Sequence, residues 1–270
     1  MASFDFINAA SKGYEFIWKE RSYLLSVAAP VLFVKISCLL AVFALNAQDK
    51  YLLQGLIYLP AFVVEAIFII GLIRYFLYRE PIFIWGKLVP PPSSDIKPKS
   101  YGGYMTRNQC VQGGIALYLL LRVIETALLG VSMDFTQNSP PVDIIEDDVA
   151  NLSPVMASLI MFSILIAFTW IFRFLWLFIP TASGYPISYY LKEIPGIRIS
   201  AGMVATWIIC SLPLMTVFSA LLQATGSGNG DLLSIISSSI IRAIAELIIV
   251  SVQITAMTYG IHKILSGEKD

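Results

Sequence analysis

Residues 155–179 read VMASLIMFSILIAFTWIFRFLWLFI, and this stretch decides the fold class of the chain. Only Ser158, Ser163, Thr169 and Arg173 interrupt an otherwise apolar run. A helix needs roughly 20 apolar residues to cross a hydrocarbon core of about 30 Å. The stretch therefore predicts a helix that spans a membrane.

The composition of the whole chain agrees, since 57% of its 270 residues are hydrophobic and only 13% are charged. The net charge is zero, and no basic patch indicates nucleic-acid binding. Cys38, Cys110 and Cys210 are dispersed and His262 is the only histidine. This pattern disfavours a disulfide framework, a histidine metal site and a Ser-His-Asp triad. We therefore expect a protein that is not an enzyme, with no catalytic residue, metal or cofactor.

Five further apolar stretches are long enough to cross a membrane, which predicts an all-α integral membrane protein with six transmembrane helices. We expect an interfacial segment over residues 1–21, the transmembrane domain over 22–264 and a cytosolic tail over 265–270. The predicted spans cover residues 23–45, 52–77, 111–133, 155–179, 201–222 and 232–261.

The distribution of basic residues predicts the orientation, because cytoplasmic segments carry an excess of Lys and Arg. The opposite side has only Lys50, and its connection over residues 134–153 is acidic. We therefore expect a multi-pass membrane protein with both termini in the cytoplasm. The basic residues on the expected cytoplasmic side are Lys12, Lys19, Arg21, Arg79, Lys87, Lys97, Lys99, Arg107, Lys192, Arg198, Lys263 and Lys269.

The first segment of the chain has the pattern of an amphipathic helix rather than a span. Phe4, Ile7, Tyr14 and Trp18 recur near helical spacing, with charged residues elsewhere around the helix. One interpretation places this helix in the membrane interface, with its aromatic side towards the lipid headgroups. The alternative is a helix that packs against the cytoplasmic end of the protein itself.

Two of the predicted spans end with the same pattern, in which an arginine and an aromatic residue precede a proline. Arg74 is followed by Pro81, and Arg173 is followed at the same distance by Pro180. This favours a protein built from repeated helical hairpins, of spans 1–2, 3–4 and 5–6. Coincidence among aromatic-rich helix ends is the alternative.

Charged residues within the predicted spans are the sharpest indication of a functional site. Such residues are costly at mid-membrane, so they are expected to face inward and to pair. Arg122 and Glu125 share a helix face at i, i+3 spacing, and Arg242 and Glu246 do so at i, i+4. The predicted intramembrane charge network comprises Lys35, Glu65, Arg122, Glu125, Arg242 and Glu246.

Lys35 and Glu65 are expected to meet across the first hairpin. They lie roughly 11 and 14 residues from the turn that joins their helices, a depth difference of roughly 4 Å at the α-helical rise. Two functions fit such a network: structural ion pairs that fix helix register, or a polar pathway for ions, protons or a charged solute.

Four residues near the expected membrane surface are candidates for contact with lipid headgroups. Arg74 and Arg173 lie in the last turns of predicted spans, from which a long side chain reaches the interface. Trp18 and Trp85 are aromatic residues in predicted interfacial segments. Membrane lipids are therefore expected partners, together with other membrane protein subunits.

Two stretches of the chain resemble a broad group of uncharacterised bacterial six-helix membrane proteins. They are residues 173–190, RFLWLFIPTASGYPISYY, and residues 16–21, FIWKER. The group includes the membrane domain that accompanies some glycerophosphodiester phosphodiesterases. The resemblance implies a bacterial inner-membrane location and a non-catalytic role, and it transfers no activity to any residue.

The sequence leaves three functional hypotheses. The first is a non-enzymatic accessory, scaffold or assembly subunit of a membrane complex. The second is a small secondary transporter or channel that uses the mid-membrane charges. The third is a lipid-modifying enzyme that uses acidic residues.

Overall fold

The computed structural model describes residues 4–47, 50–84, 87–88, 104–138, 154–225 and 232–267. Trp85 and most of the connections over residues 89–103 and 139–153 lie outside these described residues. Within these described residues, six helices are long and apolar enough to cross a membrane, which confirms the predicted all-α class of a multi-pass membrane protein. The helices are α1 (Phe6–Lys19), α2 (Arg21–Ala44), α3 (Tyr51–Tyr78), α4 (Arg107–Asn138), α5 (Pro154–Ile171), α6 (Phe178–Ala182), α7 (Ile187–Glu193), α8 (Ile197–Ala224) and α9 (Leu232–Ser266).

Two short strands, β1 (Phe83–Ile84) and β2 (Lys87–Leu88), pair antiparallel just after α3. They extend the end of α3 at one face of the bundle, and this end is held by polar contacts to the start of α2. The Tyr75 hydroxyl donates to Glu20 at 2.8 Å, and Arg79 pairs with Glu20 at 3.0 Å. We call this end of the bundle, where α1, α6 and the carboxyl ends of α3 and α9 meet, the terminal face.

Helix α3 is the central element of the core. Phe68, Ile69, Leu72 and Ile73 are at most 1% exposed, because α2, α4 and α9 all pack against this helix. A helix that is buried on several sides is apolar all round, as α3 is. By contrast, residues of α5 such as Phe162 are mostly exposed to the surroundings of the bundle, where lipid accommodates apolar side chains.

Helix α1 packs against the carboxyl-terminal half of α9 through small residues. Ala10 is 3% exposed and contacts Val252 and Ala256. A Cβ atom added to Gly13 would lie 2.9 Å from the Ala256 Cβ and 2.9 Å from the Val252 carbonyl oxygen. The two backbones therefore approach closely, which only small side chains permit.

This packing corresponds to the second of the two interpretations of the amphipathic segment, although part of the helix also faces outward. Phe4 is buried against Gly260, and the Tyr14 hydroxyl donates to the Cys210 carbonyl at 2.9 Å. Ile7 and Trp18 are 66% and 72% exposed. One side of α1 thus contacts the protein and the other remains available to lipid.

Replacing Gly13 with alanine should destabilise the protein by about 0–3 kcal/mol. Alanine gains up to about 1 kcal/mol in helix propensity, but overpacking against a backbone costs about 1–3 kcal/mol. The thermal midpoint in mild detergent measures the net effect. Gly196→Ala, at the N-cap of α8, is a control for an added methyl group in open space, since nothing lies within 4 Å of its added Cβ. A stabilising effect of Gly13→Ala would contradict the close approach of α1 and α9.

The fourth span is irregular where the sequence suggested a regular helix end. Its α-helix stops at Ile171 and continues as a 3₁₀ turn, Phe172–Trp176, followed by α6, which contains Pro180. Helix α3 instead ends at Tyr78, with Arg79 in the left-handed region at φ 57°. The two arginine-aromatic-proline endings therefore have different backbones, and they do not make equivalent hairpin ends.

Candidate functional site

Charged side chains from four spans meet in the membrane-spanning part of the bundle. The side chains come from α2, α3, α4 and α9. The site therefore depends on the packing of these four helices rather than on one local motif. We call this set the charge cluster; it comprises Lys35, Glu65, Tyr118, Arg122, Glu125 and Glu246.

Glu65 is the centre of the charge cluster and is fully buried. Its Oε1 accepts hydrogen bonds from the Tyr118 hydroxyl at 2.7 Å and from Arg122 Nη2 at 2.9 Å. Its Oε2 lies 3.0 Å from Lys35 Nζ, in an ion pair that lacks the alignment of a hydrogen bond. Lys35, the partner expected from the depth argument, is therefore one of three.

Arg122 and Glu246 connect the centre to the edge of the charge cluster. Arg122 pairs with Glu125 at 2.9 Å, and its Nη2 lies 3.9 Å from Glu246. Glu246 in turn lies 3.1 Å from Lys35 Nζ. The set holds two positive and three negative groups, so it carries one excess negative charge.

The charge cluster is closed on one side and open on the other. The side chains of Lys35 and Glu65 are 4% and 0% exposed, whereas those of Glu125 and Glu246 are 56% and 47% exposed. A carboxylate at this depth is costly against lipid, so the open side requires water, a counter-charge or another protein.

Arg242 does not join the charge cluster as the sequence suggested. It is exposed, and it forms no ion pair within 4.0 Å among the described parts of the chain. The i, i+4 spacing permits contact with Glu246, but the Glu246 carboxylate is directed towards Lys35 and Arg122 instead. Two cations on neighbouring helices attract this carboxylate more than one on its own helix.

Arg74 is buried at the terminal face rather than extended to the headgroups, which corrects the expectation for this residue. Its side chain is 3% exposed and makes a two-pronged contact with Glu80, from Nε at 2.8 Å and Nη2 at 2.5 Å. Its Nη1 donates to the Ala182 carbonyl at 3.0 Å. Burial opposes ionisation of Glu80, but hydrogen bonds from Arg74 and Arg107 hold its pKa below the ordinary 4.5.

Arg173 is also buried, so its expected headgroup contact is likewise replaced by a contact within the protein. Its Nη1 donates to the Ile194 carbonyl at 2.7 Å, and the guanidinium lies 4.5 Å from the centre of the Trp170 ring. Trp18 is the one described candidate that remains exposed, and Trp85 lies outside the described residues. The arginines at both helix ends therefore tie the spans to their connections.

Metal binding has no arranged site in the described part of the chain. No three His, Cys, Asp or Glu residues within it are grouped closely enough to hold a metal ion. Cys38, Cys110 and Cys210 are each buried.

The fold and the charge cluster define the class: a multi-pass α-helical membrane protein with an ion-paired interior. No family model, curated protein or solved structure matches the chain.

Proposed function

We propose that this chain is a non-enzymatic inner-membrane protein that serves as an accessory, scaffold or assembly subunit of a membrane complex, with both termini in the cytoplasm. The observation that carries this proposal is the three-fold pairing of the buried Glu65 by Lys35, Arg122 and Tyr118. Side chains of the protein itself contact both oxygens of this carboxylate, which argues against a role in holding a substrate.

The charge cluster then acts as an internal lock on helix register. Removing ions from water is expensive, and only good geometry and additional hydrogen bonds compensate for that cost. A slip of one helix by one residue moves a side chain by about 1.5 Å along the axis and by about 100° around it, which would break these contacts. The resemblance to bacterial six-helix proteins without catalytic motifs supports the same role.

The open side of the charge cluster supports a partner within the membrane. Glu125 and Glu246 are half exposed, and Arg242 is exposed without an ion pair in the described chain. Polar groups at this depth associate with other polar groups, because lipid offers them none. Another membrane subunit that contributes complementary groups would complete this surface.

The same exposure is the observation that favours the second candidate, a small transporter or channel. A water-filled cavity that reaches Glu125 and Glu246 would also satisfy these carboxylates and would let them exchange protons or ions. The two candidates differ in one measurable property, the access of water to this side of the bundle.

Cysteine accessibility in native membrane vesicles separates the candidates. Leu128 lies one turn from Glu125 and is 65% exposed. We expect Leu128→Cys and Thr126→Cys to resist a membrane-impermeant, polar thiol reagent from both sides, because a subunit keeps this surface dry. The background carries alanine at Cys38, Cys110 and Cys210, and each variant is labelled again after denaturation to show that its thiol is reactive.

Two positions serve as controls for this labelling. Leu159→Cys on α5, 58% exposed, should be unreactive because it faces lipid, and Ser266→Cys should react only from the cytoplasmic side. Reaction of the cysteine at position 128 but not of the one at position 159 would contradict the scaffold proposal and favour the transporter. Reaction of Ser266 only from the opposite side would reverse the proposed orientation.

A further inference from the structure

We propose that this protein holds a phospholipid in a groove between α1, α2 and α9, with one acyl chain in the groove and an anionic headgroup at Arg21. The proposal is independent of the scaffold role. The groove has a volume of about 680 Å³, within the range of roughly 300–1,000 Å³ that is typical of ligand sites. We call it the acyl groove.

The walls of the acyl groove are apolar along their length. Leu25, Ala28 and Leu32 line it from α2, and Leu247 and Ile248 line it from α9. Such walls favour a hydrocarbon ligand, which gains free energy only from burial and packing.

The few hydroxyl groups in the walls are already used. Ser251 Oγ donates to the Leu247 carbonyl at 2.6 Å, and the Tyr14 hydroxyl donates to the Cys210 carbonyl at 2.9 Å. These hydroxyl groups have no proton left to donate, so a polar ligand inside the groove would replace few of its hydrogen bonds to water. This argues for an acyl chain rather than a polar solute.

The length of the acyl groove matches one leaflet of a bilayer. From Arg21 to Leu32 the α2 axis advances by about 16 Å at the helical rise, about half of a hydrocarbon core of about 30 Å. The groove thus runs from the terminal face to mid-membrane, close to the level of Lys35. A chain of the adjacent leaflet enters it from the side, since Leu25 is 61% exposed.

The mouth of the acyl groove has the chemistry of a phosphate contact. Arg21 is exposed, forms no ion pair within 4.0 Å among the described residues, and its guanidinium lies 4.5 Å from the centre of the Trp18 ring. It stands in the first turn of α2, where backbone N–H groups also favour an anion. The one acidic residue of the lining, Glu15, is paired with Lys12 at 2.7 Å.

Native mass spectrometry of the full chain in detergent, with phosphatidylglycerol or phosphatidylcholine added, tests the proposal. We expect a bound phospholipid, with a preference for the anionic one. Leu32→Trp fills the deep end of the groove and should weaken binding about tenfold or more, because it removes space for several methylene groups. Arg21→Gln should abolish the preference for the anionic headgroup while chain binding persists.

Matched variants separate the groove from general effects. Phe33→Trp changes the next residue, which is 71% exposed and outside the groove, and should bind lipid as the wild type does. Lys50→Gln removes a charge at the opposite face and should leave the headgroup preference intact. Equal binding by Leu32→Trp and Phe33→Trp would overturn the proposal. A second result would also overturn it: a wild-type dimer that carries no lipid and that Leu32→Trp dissociates. In that case a second copy of the chain, and not a lipid, would fill the groove.

Discussion

Glu65→Gln should lower the free energy of unfolding by about 3–5 kcal/mol, a larger loss than we expect from neutralising any other charged side chain among the described residues. The reason is that it removes the fully buried carboxylate from between Lys35 and Arg122, which then keep only half-exposed carboxylates as anionic partners. Lys35→Met should cost less, because Glu65 keeps Arg122 and Tyr118. Thermal or denaturant unfolding of the purified protein in mild detergent measures both.

Two comparisons make this result specific to the charge cluster. Glu125→Gln removes a half-exposed partner of the same Arg122 and should cost only about 0–1 kcal/mol. Lys35→Met combined with Glu65→Leu removes both charges of the buried pair and should recover much of the stability lost by Glu65→Gln. A double variant no more stable than Glu65→Gln would show that the Lys35 charge is not what Glu65 compensates.

Arg74→Gln should have the second-largest effect, a loss of about 2–4 kcal/mol. Arg74 is almost fully buried and joins the end of α3 to two other segments, through Glu80 and through the Ala182 carbonyl. Its removal leaves the Ala182 carbonyl without this hydrogen-bond donor, and it leaves the Glu80 carboxylate with Arg107 as its cationic partner. Unfolding in detergent measures the loss.

Arg107→Gln is the matched control, because Arg107 contacts the same Glu80 carboxylate at 3.0 Å but is 59% exposed. An exposed pair of this kind contributes about 0–1 kcal/mol. If the two substitutions were equally destabilising, burial of Arg74 would not determine its contribution.

The number of spans followed from the sequence because one property, apolar length, decides it. The predicted span 52–77 is the helix Tyr51–Tyr78, and the predicted span 23–45 is Arg21–Ala44. The break at Phe172–Trp176 was missed, because a run of aromatic and aliphatic residues is apolar in either helix type. Hydropathy indicates whether a segment lies in lipid or in water, but it does not indicate whether its backbone hydrogen bonds are those of an α-helix or a 3₁₀ helix.

The contact between Lys35 and Glu65 was also accessible, since a short turn fixes the relative depth of two antiparallel helices. The partners of Glu246 could not be predicted from the sequence, because they depend on how α9 is rotated against α2 and α4. Tyr118 was overlooked although it lies one turn before Arg122, where i, i+4 spacing would have indicated it. A tyrosine in a span ordinarily signals an interface, and its pairing here is a tertiary feature.

The Arg74 partner illustrates a different limit. Glu80 follows the end of α3, and only the left-handed turn at Arg79 brings its carboxylate back to the helix. Packing of α1 on the protein was one of two alternatives, but its partner α9 was equally hidden, because Ala10 and Gly13 carry almost no hydrophobic signal. Close helix approach depends on the absence of side chains, which a search for apolar residues does not detect.

The contact between α1 and α9 also determines when α1 can dock during synthesis of the protein. Asn8 donates to the Tyr259 hydroxyl at 3.3 Å across a separation of 251 residues. At about 5–20 residues per second, a ribosome completes α9 about 13–50 s after it has made α1. During that interval the small-residue side of α1 has no native partner, so the first helix synthesised is among the last to dock. A chain truncated before α9 would present that side permanently to proteases and chaperones.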